Sequence, residues 1–143
     1  MDIGVAKEIK SQEGRVALMP REVARLVSEG HRVRIETTAG TASGAADDAY
    51  AAVGAEIVGD AETVFSTSHM IVKVKEILPE EYPFVRSDQI IYTHLHTPLN
   101  RELTDLLLAR KTATAQAQNH TEDGPPTPPP PGQFRPMRAV RLT

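Results

Sequence analysis

The sequence predicts an α/β domain with a mostly parallel sheet and flanking helices, of the Rossmann-like or flavodoxin-like type. Short apolar runs alternate along the chain with segments whose apolar residues recur at helical spacing, and this alternation indicates βαβ units. The chain has 143 residues, of which 40% are hydrophobic and 24% are charged, as in ordinary globular domains. A chain of this length buries a core of its own without disulfide bonds.

The first part of the chain is predicted to form three strands and two helices. Ile3 and Val5 alternate with other residues as in a strand. Pro20 suits the first position of a helix, and Gly30 suits the left-handed residue that follows one. The predicted elements are a strand over 2–7, a helix over 20–29, a strand over 31–36, a helix over 46–53 and a strand over 55–58.

The middle part is predicted to add a helical turn, three strands and one helix. Leu103, Leu106 and Leu107 recur at the spacing of a buried helix face. The predicted elements are a helical turn over 61–65, strands over 69–74 and 89–94, a helix over 100–110 and a last strand over 112–117. The crossovers between parallel strands are expected to be right-handed.

The end of the chain has a different composition. Seven of its eleven prolines lie between Pro125 and Pro136, and such a run cannot continue a helix or a central strand. We therefore predict a folded domain over residues 1–118 and a disordered, Pro-rich tail over residues 119–143. A proline-motif ligand for a partner domain is the alternative interpretation of this tail.

Charge and composition exclude several classes of protein. The chain has no cysteine, which excludes a disulfide scaffold, a cysteine zinc site and a thiol nucleophile. Its net charge of −3 gives no electrostatic case for binding nucleic acid or an anionic membrane. No apolar run is long enough to span a membrane, and the first residues show no basic signal region, so we expect a cytoplasmic location.

Three residues suited to a small carboxylic acid follow predicted strands. Arg15 lies in the loop after the first strand and can bind a carboxylate through two parallel hydrogen bonds. Lys75 follows the strand over 69–74 and can place a positive charge on a carboxylate or carbonyl oxygen. His96 follows the strand over 89–94, and its imidazole can transfer protons near neutral pH. Because ligands bind beyond the carboxyl ends of parallel strands, this pattern indicates a small-acid site.

Each of these residues also has an ordinary structural interpretation. Arg15 and Lys75 could be solvated side chains, and His96 could cap the helix that follows it. Lys73 would point the same way as Lys75 if the strand continued that far, but Lys75 lies nearer the exit of the strand.

Motifs for other ligands are weak or missing. His94 and His96 form a His-x-His pair with the spacing of metal ligands such as those of zinc, for which His69 is a conceivable third ligand. The sequence contains no Gly-x-Gly-x-x-Gly, Walker A or Gly-x-Ser-x-Gly motif. The segment from Gly40 to Gly44 has neither the spacing nor the strand-to-helix context of a dinucleotide site.

Several segments of the sequence resemble the N-terminus of bacterial alanine dehydrogenases, in the family's order and spacing over roughly residues 1–111. They are Ile3-Gly-Val-Ala-Lys-Glu-Ile-Lys with Glu13-Gly-Arg-Val-Ala-Leu-Met-Pro, Gly30-His-Arg-Val, Ala52-Val-Gly-Ala-Glu-Ile, Val72-Lys-Val-Lys-Glu and Tyr92-Thr-His-Leu-His. The α-subunit of NAD(P) transhydrogenase shares the opening segment. The Lys-Val-Lys-Glu and Leu-His elements look more like alanine dehydrogenase.

The resemblance implies NAD-dependent oxidative deamination of L-alanine to pyruvate and ammonia. It implies that Arg15 binds the substrate carboxylate, that Lys75 contacts the carboxylate or carbonyl oxygen, and that His96 is the catalytic acid and base. In the family, a separate Rossmann domain holds NAD, and the subunits form homo-oligomers.

The sequence also departs from the family pattern. Ile77 stands where the family has a proline, and the match fades from about Thr112. No segment resembles the NAD-binding domain, so we expect a truncated substrate-binding domain that binds no NAD by itself and is inactive alone. The alternatives are a non-catalytic module that binds a small carboxylate or contacts other subunits, and a degenerate product without function.

Overall fold

The structure is a computed structural model, and it describes residues 1–93 and 101–116. Strands and helices alternate along these residues as the sequence predicts. The strands are β1 (Asp2–Val5), β2 (Arg32–Glu36), β3 (Glu56–Val58), β4 (Met70–Val72), β5 (Ile90–Thr93) and β6 (Ala113–Gln116). The α-helices are α1 (Pro20–Ser28), α2 (Asp47–Ala52), α3 (Ala61–Thr67) and α4 (Arg101–Ala109), and 3₁₀ segments span Thr41–Ser43 and Pro79–Phe84.

The six described strands form one sheet in which all neighbouring strands run parallel. Their order is β3-β2-β1-β4-β5-β6. Strand β1 lies inside the sheet, where Ile3 pairs with Val33 of β2 and with Met70 of β4. The predicted α/β class with a mostly parallel sheet is confirmed, and the strand order is that of the Rossmann fold rather than that of flavodoxin.

Helices cover both faces of the sheet, so the core has two layers. One layer, between the sheet and helices α1 and α2, includes Ile35 and Tyr50. The other layer, between the sheet and helices α3 and α4, includes Phe65 and Ile71. All four of these side chains are fully buried. Because successive residues of a strand point to opposite faces, the same strands supply both layers.

Helix α1 forms where the turn residues predict it. Pro20 lies in its first turn, and the Glu22 carboxylate accepts a hydrogen bond from the Met19 N–H at 3.1 Å. Gly30 follows the helix with a φ of 91°, a left-handed conformation that strains other residues. Between these ends, Val23 is fully buried against the sheet.

The fourth strand is shorter than predicted. The predicted strand over 69–74 spans only Met70–Val72. The Lys73 N–H still donates a hydrogen bond to the Tyr92 carbonyl of β5 at 3.0 Å. The Val74 N–H, however, donates to the side chain of Glu8, from the loop after β1, at 2.6 Å. At Val74 a side-chain carboxylate takes the place of a backbone carbonyl from a neighbouring strand. The pattern of hydrophobic residues cannot predict such a replacement, so it does not show where the strand ends.

The predictions for the end of the chain fall on residues that the structure does not describe. The Pro-rich tail over 119–143 and its boundary with the folded domain at 118 lie outside the described residues and stay predictions. Within the described part of the chain, the longest helices have nine residues, and none is long and apolar enough to cross a membrane.

The direction of the strand order reverses between β1 and β4, and in open parallel sheets such a point is where a crevice forms. From β1 the chain crosses to β2 on one side, whereas β4 leads to β5 on the other side. The loops that leave these strands therefore diverge at the carboxyl edge of the sheet, which is where open parallel sheets bind ligands. The loop after β1, residues 6–19, carries Arg15, and the segment after β4, residues 73–78, carries Lys75.

Candidate functional site

Arg15 and Lys75 approach the same carboxylate at the crevice between β1 and β4. Arg15 donates two hydrogen bonds to Glu13, from Nε to Oε1 at 2.9 Å and from Nη2 to Oε2 at 2.8 Å. The Lys75 Nζ lies 3.8 Å from the same Oε2. The Glu13 side chain is 7% exposed, whereas the Arg15 side chain is 67% exposed and the Lys75 side chain is 30% exposed. Two of the three residues singled out in the sequence therefore meet around one carboxylate.

The two cations favour the charged form of Glu13. The side-chain hydrogen bond from Arg15 lowers the pKa of the Glu13 carboxyl to about 2, and Lys75 acts in the same direction, while burial opposes the shift. In return, the hydrogen bond to Glu13 raises the pKa of Arg15. A guanidinium and an ammonium that share one carboxylate oxygen can bind the carboxylate of a small acid through charge-assisted hydrogen bonds.

A second ion pair connects the same two loops. The Lys10 Nζ, from the loop after β1, lies 2.6 Å from Oε1 of Glu76, which follows β4. The Lys10 side chain is partly exposed, and the Glu76 side chain is mostly buried. This pair joins the loop that carries Arg15 to the segment that carries Lys75.

A buried charge cluster lies at the start of these loops. The Lys73 Nζ lies 2.5 Å from Oε1 of Glu81 and 3.6 Å from Oε2 of Glu8. All three side chains are almost fully buried. Burial raises the pKa of the Glu8 carboxyl, and the positive charge of Lys73 opposes that rise. Because Lys73 is enclosed by carboxylates, Lys75 is the lysine of this segment that a ligand can reach.

The end of β5 holds the backbone of Lys75. Thr93 is fully buried, and its hydroxyl donates a hydrogen bond to the Lys75 carbonyl oxygen at 2.5 Å. Thr93 is the last residue of β5, which pairs with β4. His96 follows Thr93 by three residues and lies outside the described residues, so its role as the catalytic acid and base stays a prediction.

Of the three histidines considered for a metal site, His69 is the one that lies among the described residues, whereas His94 and His96 lie outside them. His69 precedes β4 at the amino edge of the sheet, where its Nδ1 accepts a hydrogen bond from the Asp2 N–H at 3.2 Å. Strand β5, which precedes His94 and His96 in the chain, runs parallel to β4 and ends at the opposite edge. In residues 1–93 and 101–116, no group of three His, Asp or Glu side chains is arranged to hold a metal ion.

The acidic residues of this crevice were not predicted as site residues. Glu8 and Glu13 each lie beside a lysine that follows β4. A glutamate in a loop is usually solvated, so its residue type alone carries no functional signal. The only sequence signal was the accumulation of acids at two strand ends, where Glu8, Glu13 and Glu76 accompany the basic residues.

Comparisons with known proteins identify related sequences over most of the chain. A family model described as "Alanine dehydrogenase/PNT, N-terminal domain" matches residues 4–123. The alanine dehydrogenase of Bacillus subtilis is 46% identical over 124 residues, which cover 87% of this chain and 32% of that protein. The alanine dehydrogenase of Methanococcus maripaludis is 47% identical over 111 residues, which cover 78% of this chain and 30% of that protein.

Solved structures with the same fold carry related names. An L-alanine dehydrogenase superposes with a TM-score of 0.78 at 46% identity and covers 80% of this chain and 31% of its own. A transhydrogenase from Sinorhizobium meliloti superposes with a TM-score of 0.74 at 27% identity, covering 80% of this chain and 34% of its own. This chain thus spans about a third of the length of the proteins that it matches. Since the family model and these identities extend over most of its residues, the chain belongs to the alanine dehydrogenase/PNT family and corresponds to that family's N-terminal domain.

Proposed function

We propose that this chain is the substrate-binding domain of an alanine dehydrogenase and binds the carboxylate of pyruvate or L-alanine at the crevice between β1 and β4. Arg15 binds the carboxylate through two parallel N–H groups, and Lys75 contacts the carboxylate or the neighbouring carbonyl oxygen. The observation that carries the proposal is the approach of both cations to Oε2 of Glu13, at 2.8 Å and 3.8 Å. A ligand carboxylate that replaces or accompanies Glu13 meets the same two charges.

The proposed reaction of the whole enzyme is NAD-dependent oxidative deamination of L-alanine to pyruvate and ammonia. In this reaction Lys75 stabilises negative charge on the substrate oxygen, and Arg15 fixes the orientation of the substrate by its carboxylate. His96 is the proposed acid and base that moves protons on the carbinolamine and imine intermediates. The likeness of the chain to alanine dehydrogenases supports these assignments.

A dinucleotide does not fit the place where a Rossmann sheet usually holds one. In that fold the pyrophosphate lies on a glycine-rich turn and on the N-terminus of the helix after the first strand. Here the corresponding loop, residues 6–19, contains a single glycine, Gly14. The first turn of α1 carries the Glu22 carboxylate, which accepts the Met19 N–H at 3.1 Å and adds negative charge. We therefore assign no NAD contact to this loop.

Titration calorimetry with pyruvate tests the proposed function. We expect the 143-residue chain to bind pyruvate, and we expect Arg15→Ala and Lys75→Met each to weaken binding by about tenfold, because each removes a charged partner of the carboxylate. Arg25→Ala is the matched control, since Arg25 is an exposed arginine of α1 that pairs with Glu29. The absence of binding heat from the unsubstituted chain contradicts the proposal, as does equal affinity in the Arg15→Ala and Arg25→Ala variants.

We expect this chain alone to catalyse no alanine-dependent reduction of NAD. Hydride transfer requires a nicotinamide held against the substrate Cα, and the loop after β1 offers no site for the dinucleotide. The measurement is the absorbance of NADH after NAD and L-alanine are added. A clear rise that is abolished by His96→Ala contradicts this expectation. A non-catalytic module that binds small carboxylates would give the same result, namely pyruvate binding without a rise in NADH absorbance.

A further inference from the structure

We infer that Glu8 is a positioning residue for Lys75, an inference that rests on the proposed function of Lys75 as a ligand-binding cation. Glu8 follows β1, and its carboxylate reaches the chain that leaves β4. There, Oε1 of Glu8 accepts a hydrogen bond from the Val74 N–H at 2.6 Å. Because Val74 directly precedes Lys75, this bond fixes the backbone from which the Lys75 side chain extends.

The backbone around Lys75 is held from both strands that flank β4. Glu8 acts from the β1 side on the Val74 N–H, and Thr93 acts from the β5 side on the Lys75 carbonyl, at 2.5 Å. The two bonds therefore lie on either side of the Lys75 Cα. A lysine side chain is long and rotates freely, so a fixed Cα limits the region that its ammonium can occupy. In the structure that ammonium lies 3.8 Å from Glu13.

The buried position of Glu8 argues that the residue does more than stabilise the fold. Its side chain is 2% exposed, and its Oε2 has no hydrogen-bond partner among the described residues, although Lys73 lies 3.6 Å away. Burial raises the pKa of the Glu8 carboxyl, and Lys73 and the amides of Val74 and Lys75 only oppose that rise. A buried ion cluster contributes little net stability compared with apolar residues of similar volume. What the Glu8 carboxylate adds is a specific contact with the backbone before Lys75.

The test compares Glu8 with Asp47, a carboxylate that also accepts a hydrogen bond from a backbone N–H. Oδ1 of Asp47, in the first turn of α2, accepts this bond from the Thr38 N–H at 2.9 Å, and Thr38 is adjacent in the chain to neither Glu8 nor Lys75. The variants of the full chain are Glu8→Ala, Glu8→Gln and the control Asp47→Ala. The measurements are the Val74 amide shift and hydrogen exchange, the NMR titration of Glu13 and calorimetric titration with pyruvate.

In Glu8→Ala we expect the Val74 amide to move upfield and to exchange about tenfold faster, because it loses a charged acceptor. The Lys75 ammonium then leaves Glu13, so the pKa of Glu13 rises, and the pyruvate affinity falls about tenfold. Glu8→Gln keeps an oxygen acceptor without the charge, and its affinity should fall by only about threefold. Asp47→Ala should leave the Val74 amide and the pyruvate affinity unchanged.

The inference is overturned if Glu8→Ala leaves the Val74 exchange or the Glu13 titration unchanged, whether or not pyruvate binds. It is also overturned if the unsubstituted chain binds pyruvate and the Glu8→Ala and Asp47→Ala variants bind it equally well. If Glu8→Ala does not fold, the Val74 amide shift and the Glu13 titration are measured in Glu8→Gln instead. The inference is overturned if either of them is the same as in the unsubstituted chain. If the unsubstituted chain binds no pyruvate while Val74 and Glu13 respond as expected, the positioning of Lys75 stands and the proposed function alone fails.

Discussion

At the scale of single residues, Glu13 defines the candidate site. Its carboxylate accepts two parallel hydrogen bonds from Arg15 and lies 3.8 Å from the Lys75 ammonium. The carboxylate of Glu13 therefore occupies the position in which the carboxylate of the proposed ligand would bind. Binding of the proposed ligand therefore has to share or replace contacts that Glu13 already makes, so the charge of Glu13 is the property to measure.

We expect the Glu13 carboxyl to titrate with a pKa of about 2 and to return toward 4.5 in Arg15→Ala, but not in the control Arg25→Ala. Because its folded-state pKa is lowered, charged Glu13 stabilises the fold above about pH 4.5, and this contribution is lost as the pH falls toward about 2. Carboxyl NMR measures the titration. Urea unfolding should show the stability difference between the unsubstituted chain and Glu13→Gln shrinking over that pH range. A titration midpoint near 4.5 in the unsubstituted chain refutes the expectation.

At the scale of elements, the close packing of helix α3 on β1 positions the strand that leads to Lys75. A Cβ at Gly4 of β1 would lie 2.5 Å from the Ser68 Oγ and 2.7 Å from the Val64 Cγ1. Because Gly4 has no side chain, α3 and the residue that follows it can pack this closely against β1. Because α3 leads directly into β4 through Ser68, its place on β1 also positions β4.

We expect Gly4→Ala to lower the free energy of unfolding by about 1–3 kcal/mol, because the added methyl group overpacks the contact between β1 and α3. Gly59→Ala is the matched control, since a Cβ at Gly59 meets no heavy atom within 4 Å and its φ is not in the left-handed region. Chemical denaturation of both variants measures the difference. Equal stabilities of the two variants would show that the contact at Gly4 can relax without cost.

At the scale of the whole molecule, one sheet supports both core layers, and the candidate site lies at the edge of that sheet. Ile35 is fully buried in the layer beneath α1 and α2, and Ile71 is fully buried in the layer beneath α3 and α4. The strands that carry them belong to one continuously paired sheet. A small domain of this kind is expected to unfold in one cooperative step.

We expect Ile35→Ala and Ile71→Ala each to lower the free energy of unfolding by about 2–5 kcal/mol, through lost burial and the cavity left behind. Each variant should still unfold in a single transition. Urea unfolding, followed by amide signals from both layers, measures the stability and the coupling. Leu108→Ala is the control, because Leu108 is an exposed residue of α4. Signals of one layer that persist after the other has unfolded would disprove the coupling.

Local patterns in the sequence account for the kinds of secondary-structure element and for much of their placement along the chain. Helix α1 depends on Pro20, on Gly30 and on apolar residues three and four positions apart, and these signals act between neighbours in the chain. The strands follow from short apolar runs in the same way. Arg15 and Lys75 could be singled out because parallel strands place the residues that follow them at one edge of the sheet.

The pairing of strands in the folded domain sets which strand lies beside which, and therefore which charged side chains come into contact. The pairing of β1 with β4 joins segments far apart in the chain, and no local periodicity encodes that choice. Once the two strands are neighbours, Glu13 reaches Lys75, and Glu8 reaches Val74 and ends the strand ladder earlier than predicted. These contacts depend on distances across the sheet. The charged groups are far apart in the sequence, so they interact only after the chain has folded and buried them side by side.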